Sequence, residues 1–466
     1  MFFSKKLNDS ALQKTAEVVT LVGLWVLIFA TIGTPYPFHY DSVNYALAIA
    51  EKFDTGIHQP HPPGYLFHIL FGRLIYLFVD NPFYVQQLQN IFYLLAVLPC
   101  WLMIKGVQKF DLIFLGTFPL ILFFPAVPII FAASFAAGCW MAVALSKMDE
   151  GSWSPLIPGF IFAVSIGFRQ DMLIMLGPVF LYCLIRGRYR AKIWLKLVAI
   201  GFTVTMLWYI PTLILSGGLE PFSHTNAENT KFYLYSSVLF GAPLLENVRV
   251  ALRFLLYMPA TLGPGGICLV LICLKTLPKK NWIPVILALA PIVIYGTVLL
   301  LPFSYYYASG LGFFISWVTV KGGLPEKRKY LLLFLAILNI SFFCFMPKAQ
   351  YQPWRGTYKD RTIVENIAKQ LLYTGANSRE SALHRRDIID FAQSTIAKSD
   401  IFYVEDDILW DRIWCYLSAH SWNNIHTREL EEAELILGWY NPESTKELVA
   451  RHNNLAVYRL PQQEPQ

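Results

Sequence analysis

Residues 18–78 read VVTLVGLWVLIFATIGTPYPFHYDSVNYALAIAEKFDTGIHQPHPPGYLFHILFGRLIYLF, and this stretch decides how the rest of the chain is read. The run 18–34 contains no Asp, Glu, Lys or Arg. About 20 apolar residues span a hydrocarbon core as a helix, and only helices or closed barrels satisfy their backbone polar groups there. The alternation of a barrel strand is absent, so the run is a membrane helix. The segment 35–63 is too polar to span and forms a loop. Within it, Val43, Ala46, Leu47 and Ala50 fall at helical spacing, which predicts a short amphipathic helix over Asp41–Lys52 lying on the membrane. The apolar run then resumes at residue 64.

The same pattern continues to residue 346. Apolar segments occupy 64–79, 88–104, 110–124, 126–146, 155–186, 193–215, 250–274, 282–301, 306–320 and 330–346, so the chain reads as an all-α polytopic protein with about eleven transmembrane helices. Only 15% of the residues are charged, against about 25% in ordinary soluble domains. The net charge of +7 points to membrane topology rather than to nucleic acid. Its basic residues cluster between apolar segments: Arg186–Lys196, Lys275–Lys280 and Lys321–Lys329. Such clusters mark cytoplasmic ends. Lys5, Lys6 and Lys14 precede the first helix and no small-residue cleavage site follows it, so it reads as retained, with a cytoplasmic N-terminus. Counting 155–186 as one broken crossing puts all three clusters inside, and leaves Lys105 and Lys109 outside. The loops 35–63 and 216–247 then face out.

From residue 347 the composition is that of a soluble domain, placed on the outer face. Ile401–Glu405 and Leu455–Leu460 read as strands, and Thr362–Tyr373 and Thr427–Leu437 as helices, giving a small α/β domain. It has no phosphate-binding loop, dinucleotide fingerprint or metal-ligand cluster. Six of the seven cysteines sit in apolar segments, where they behave as small hydrophobes.

The loop 35–63 carries the chemistry. Asp41 stands just past the first helix, where an acid meets both water and head groups. In His58-Gln59-Pro60-His61-Pro62-Pro63-Gly64-Tyr65 each proline fixes φ and restrains its predecessor. This stiff segment could hold His58 and His61 toward Asp41. An acid after the first membrane helix and a His/Pro-Pro segment opening the next resemble the GT-C superfamily of membrane glycosyltransferases. The nearest branch is the protein O-mannosyltransferase and aminoarabinose transferase type, and HPPGY resembles its HPPGYP motif. This chain has Leu66 in place of the motif's last proline, and Asp41-Ser42 where well-known relatives often have Asp-Glu.

The resemblance implies transfer of one sugar from a polyprenyl-phosphate donor to a protein, lipid or glycan acceptor at the outer face of the membrane. Asp41 is the candidate base that takes the acceptor's proton, with inversion at the anomeric carbon. Alternatively, Asp41 caps a helix. His58, His61, Arg169 and Lys231 are candidates for holding the donor phosphate. Arg169 and Asp171 lie in an apolar stretch, where ionisable groups signal function or pair with each other. Phe303, Tyr305, Tyr306 and Tyr307 form an interfacial aromatic belt or a wall of the lipid groove. No cofactor is indicated. A divalent cation stays open, since Asp41 alone is a poor ligand set for an ion that collects about six oxygens. The class and the lack of an evident retention signal point to a bacterial inner membrane. Two other readings compete: a transporter or flippase of lipid-linked sugars, favoured by the break in 155–186, and a polysaccharide polymerase or ligase.

Overall fold

The computed structural model describes residues 2–33, 36, 40–57, 59–60, 63–104, 110–235, 248, 261–272, 275–297, 308–322 and 329–345. Of the C-terminal region it describes 386–388, 390–392, 394–395, 402–404, 435–439, 444, 446–452 and 455–459. The helices are α1 (Phe2–Ile32), α2 (Tyr40–Ala50), α3 (Leu66–Tyr76), α4 (Pro82–Leu102), α5 (Asp111–Gly116), α6 (Pro119–Ala126), α7 (Phe131–Asp149), α8 (Leu156–Phe168), α9 (Met172–Arg186), α10 (Ala191–Leu215), α11 (Leu219–Tyr235), α12 (Thr261–Ile272), α13 (Trp282–Thr297), α14 (Ala308–Gly322) and α15 (Lys329–Phe345). Three helices among the described residues are long and apolar enough to cross a membrane: Leu12–Ile32, Phe131–Asp149 and Ala191–Leu215.

Polar contacts define two ends of the bundle. Lys321 pairs with Asp149 at 3.6 Å and Glu150 at 3.7 Å, and Arg186 reaches Asp149 at 3.7 Å. The C-termini of α7, α9 and α14 therefore meet at a basic end. At the opposite end the Gln86 side chain donates to the Ser42 carbonyl at 2.9 Å, and Thr55 Oγ1 donates to Ser216 Oγ at 2.6 Å. This joins the start of α4 and the close of α10 to the loop that carries α2.

Two expected crossings are corrected by this frame. The run 64–79 was read as a span, but α3 has 11 residues, about 16 Å of helix, too short to cross. The chain turns back after it. Asn81 then caps α4, accepting the N–H groups of Phe83 and Tyr84 at 3.0 Å each, with Pro82 opening the helix. In 155–186 the chain does not make one broken crossing. It folds back at Arg169–Asp171: Phe162 of α8 stacks on Phe180 of α9 with centroids 4.8 Å apart, and Gly159 also faces Phe180, so the two helices are antiparallel. The two errors compensate, so Arg186–Lys196 still begins a pass toward the loop end.

The expected span 110–124 is two short buried helices, α5 and α6, broken at Thr117–Phe118. Glu17 of α1 accepts the Phe110 N–H at 2.8 Å, and Trp25 donates to the Gly116 carbonyl at 3.2 Å. The pair thus climbs beside α1, from the half of α1 nearer the basic end toward the α2 loop. Under this path the hairpin turn at Ser152 sits at the basic end. A thiol introduced by Ser152→Cys in an otherwise cysteine-free protein should react with an impermeant maleimide from the side opposite Gly56→Cys. Labelling of both from one side would restore the original path.

The most extensive helix pair is α7 with α14. Small residues let the backbones close: a Cβ on Gly138 would collide with the Ser309 carbonyl oxygen, and one on Gly312 with that of Phe135. The backbone cannot move aside as a flexible side chain would. Gly138→Ala should therefore cost about 1–3 kcal/mol and lower the unfolding midpoint in detergent by about 1–3 °C. Gly201→Ala on α10, which meets nothing within 4 Å, should leave the midpoint unchanged.

The C-terminal region contributes a mixed sheet of order β1-β2-β4-β3, with β1 Phe402–Val404, β2 Leu435–Trp439, β3 Glu447–His452 and β4 Leu455–Arg459. β1 runs parallel to β2, and β4 pairs antiparallel with β2 and β3. Ile436 faces Tyr458 across the sheet and packs with it and Ala456 in a small core. Residues 435–437, expected to end a helix, are strand. Thr362–Tyr373 lies outside the described residues.

Candidate functional site

The α2 helix forms where its spacing predicted, but not on a membrane surface. No residue from Asp41 to Ile49 is more than 3% exposed, so the helix is enclosed on every side. Ser42 and Asn44, which a surface helix would turn to water, are buried with the apolar residues. The neighbouring elements hold it. Gly72 of α3 lets Ile49 approach, since a Cβ there would meet the Ile49 side chain. Arg73 donates to the carbonyls of Ala48 at 3.0 Å and Glu51 at 3.2 Å, satisfying groups left open where α2 ends.

Asp41 is the second residue of α2, inside its first turn rather than at the cap position. A carboxylate there is favoured by the helix dipole. One turn later, Tyr45 meets two rings edge-on: Tyr65 at 5.6 Å and His68 at 5.7 Å between centroids. Tyr65 sits at φ 47° just before α3, after Gly64 at φ 110°. Gly64 packs against Thr212, Phe53 and Thr55, where a Cβ would crowd all three. Gly64 is thus wedged against the close of α10, and the strained backbone of Tyr65 persists only where its surroundings determine it.

Arg169 completes the cluster from the α8–α9 turn. Its guanidinium carbon stands 4.1 Å from the Phe131 ring centroid and 5.8 Å from that of Tyr65. Its Nε lies 2.9 Å from both Asp171 oxygens. A side chain only 5% exposed is thereby held as a cation among aromatic faces, where a charge acts through low dielectric. Tyr45, one helical turn after Asp41, thus meets Tyr65, and Tyr65 in turn faces Arg169.

The structure places the other expected residues unevenly. His58, His61 and Tyr305–Tyr307 lie outside the described residues. Lys231 falls on α11, which packs on the short turn Thr55–Ile57 of the α2 loop, and its side chain also lies outside them. The sequence reading missed the amides of α4. Gln86, Gln87, Gln89 and Asn90 are all fully buried. Gln86 holds the Ser42 carbonyl, Gln89 the His68 carbonyl at 2.7 Å, and Asn90 the carbonyls of Phe124 and Val127 at 2.9 and 3.0 Å. Their signal was present: four amides in five residues just before an apolar run. Among the described residues no group of three His, Cys, Asp or Glu could hold a metal ion.

Tyr36, between α1 and α2, is raised above the usual phenol range by burial and then by the Asp390 carboxylate, with Arg386 opposing.

No family model matches the chain, and no curated protein matches it in sequence. Two solved structures share its architecture. A crystal structure of ArnT from Cupriavidus metallidurans bound to undecaprenyl phosphate superposes with a TM-score of 0.58 at 12% identity, covering 97% of this chain and 100% of that one. The apo structure of the same protein gives 0.55 at 11%, covering 97% and 99%. The chain shares that fold, as the GT-C-like reading of the sequence expected. It is a polytopic helical membrane protein, and coverage of 97% carries the likeness beyond the helices into the C-terminal region.

Proposed function

We propose that this GT-C protein transfers a single sugar from a polyprenyl-phosphate donor to an acceptor hydroxyl at the membrane surface next to α2. The observation that carries the reading is the joined wall itself: a buried carboxylate, Asp41, and a buried cation, Arg169, connected through Tyr45 and Tyr65. That the similarly folded ArnT was crystallised with undecaprenyl phosphate supports the choice of donor.

The chemistry balances on these residues. The acceptor oxygen attacks the anomeric carbon from the face opposite the phosphate. Its proton passes to the Asp41 carboxylate. The bond from the anomeric carbon to the phosphate oxygen breaks, and its electron pair leaves with polyprenyl phosphate. The phosphate is already a good leaving group, so the protein's main task there is to stabilise charge, which Arg169 does where water is excluded. The anomeric centre inverts. His58, His61 and Lys231 remain proposed partners of the same phosphate. The loops 35–63 and 216–247 and the C-terminal region (347–466) are proposed to share the outer, periplasmic face of a bacterial inner membrane. No cofactor enters this scheme.

The transporter alternative drew on a single discontinuous span in 155–186. The antiparallel α8–α9 hairpin removes that feature.

The test is to offer the purified protein in lipid a panel of polyprenyl-phosphate sugars, with a membrane extract as acceptor. Release of free polyprenyl phosphate, dependent on the extract, is the expected result. Movement of intact donor across proteoliposomes without release would overturn the reading.

A further inference from the structure

His68 lies on the same wall and is fully buried. Its ring sits edge-on to Tyr45 and 6.0 Å from Tyr93. The Tyr93 hydroxyl is 3.0 Å from Nδ1. Gln89 fixes the direction of this contact. Its amide nitrogen, which only donates, stands 3.4 Å from Nδ1 and donates to the His68 carbonyl at 2.7 Å. Facing that N–H and the Tyr93 hydroxyl, Nδ1 is the acceptor. A neutral imidazole accepting at Nδ1 carries its proton at Nε2. That Nε2–H has no hydrogen-bond partner among the described residues.

A native fold rarely buries a donor and leaves it unmet. Here two side chains, Gln89 and Tyr93, orient it. A merely structural histidine would need only the Tyr93 contact. Its neighbours indicate the missing acceptor. Tyr45 joins it to the Asp41 helix, and Tyr45 and Tyr65 join it to Arg169. A group that needs both a guanidinium and a neutral donor on one wall is an anionic oxygen cluster.

We infer that His68 Nε2–H donates a hydrogen bond to a non-bridging oxygen of the donor's lipid phosphate, with Tyr93 and Gln89 as positioning residues that fix its tautomer. This rests on the proposed donor class, not on the transfer step.

The experiment measures binding of undecaprenyl phosphate, without sugar, to the full-length protein in nanodiscs. His68→Asn keeps a polar atom near Nδ1 for Tyr93 but removes the Nε2 donor. His68→Gln keeps a donor near Nε2. The expected result is a Kd weakened about 10- to 100-fold in His68→Asn and largely retained in His68→Gln. In wild-type protein labelled with ¹⁵N-histidine, one Nε2–H resonance protected from exchange should shift when the lipid is added. Tyr93→Phe, which frees the tautomer, should weaken binding several-fold. Wild-type affinity in His68→Asn, or no histidine resonance moving, overturns the inference. Because no sugar is transferred, a failed release assay would defeat the proposed function and leave these outcomes readable.

Discussion

Asp41→Asn should leave the protein folded, leave its affinity for undecaprenyl phosphate within a few-fold, and lower release of polyprenyl phosphate from the charged donor about 10³-fold. The substitution preserves size and polarity at a position only 3% exposed, so no cavity opens. Loss of negative charge in the first turn of α2 costs about 0.3–1 kcal/mol through the helix dipole, small against the stability of a folded chain. The amide cannot accept the acceptor's proton, and that is the only step it is asked to remove. The effect should therefore fall on kcat, with the donor's KM little changed. Asp41→Glu keeps the base but moves it by one methylene, and should recover part of the rate. Equal rates in wild type and a folded Asp41→Asn would take Asp41 out of the mechanism.

Much of the bundle was legible because apolar runs free of charge can satisfy their backbones in lipid only as helices. What misled was length near the surface. Residues 64–79 are as apolar as a span, and hydropathy does not register that Asn81-Pro82 is a strong helix-start pair, which ends the previous helix early. Likewise 155–186 shows its turn only as three polar residues, and two short helices packed as a hairpin carry the same composition as one long broken helix. The site was half legible. Asp41 stood out by its place after α1, and Arg169 by its cost in an apolar setting. Their connection was not, because Phe131, Tyr65 and Tyr45 look like ordinary core aromatics, and only tertiary packing brings Phe131 and Tyr65 to Arg169 from 38 and 104 positions away in the chain, and Tyr45 to Tyr65. The α4 amides were passed over for a different reason: hydropathy treats Gln and Asn as residues that belong in water, whereas here Gln86, Gln89 and Asn90 each donate to a backbone carbonyl that packing alone would leave unmet.

Arg169→Ala should reduce polyprenyl phosphate release about 10²- to 10³-fold, the usual cost of removing one group aimed at developing charge in an enclosed site. Arg169→Lys should recover little of it, although it restores the charge. The guanidinium is planar and lies against Phe131 at 4.1 Å while its Nε engages both oxygens of Asp171 at 2.9 Å. A lysine ammonium can neither stack flat nor present a fork of donors. The Asp171 contact sets a second expectation. By holding Nε, Asp171 fixes which edge of the guanidinium turns to the wall of Tyr65, so Asp171→Asn should raise the donor's KM with a smaller loss in kcat, as expected for a group that orients rather than reacts. Thermal unfolding of the three variants separates this from damage to the α8–α9 turn. If Arg169→Lys transfers sugar at the wild-type rate, a point charge suffices and the stacked geometry has no part in catalysis. If Arg169→Ala does so, the phosphate is held elsewhere on the α2 loop, and the cation on this wall serves only to close the turn between α8 and α9.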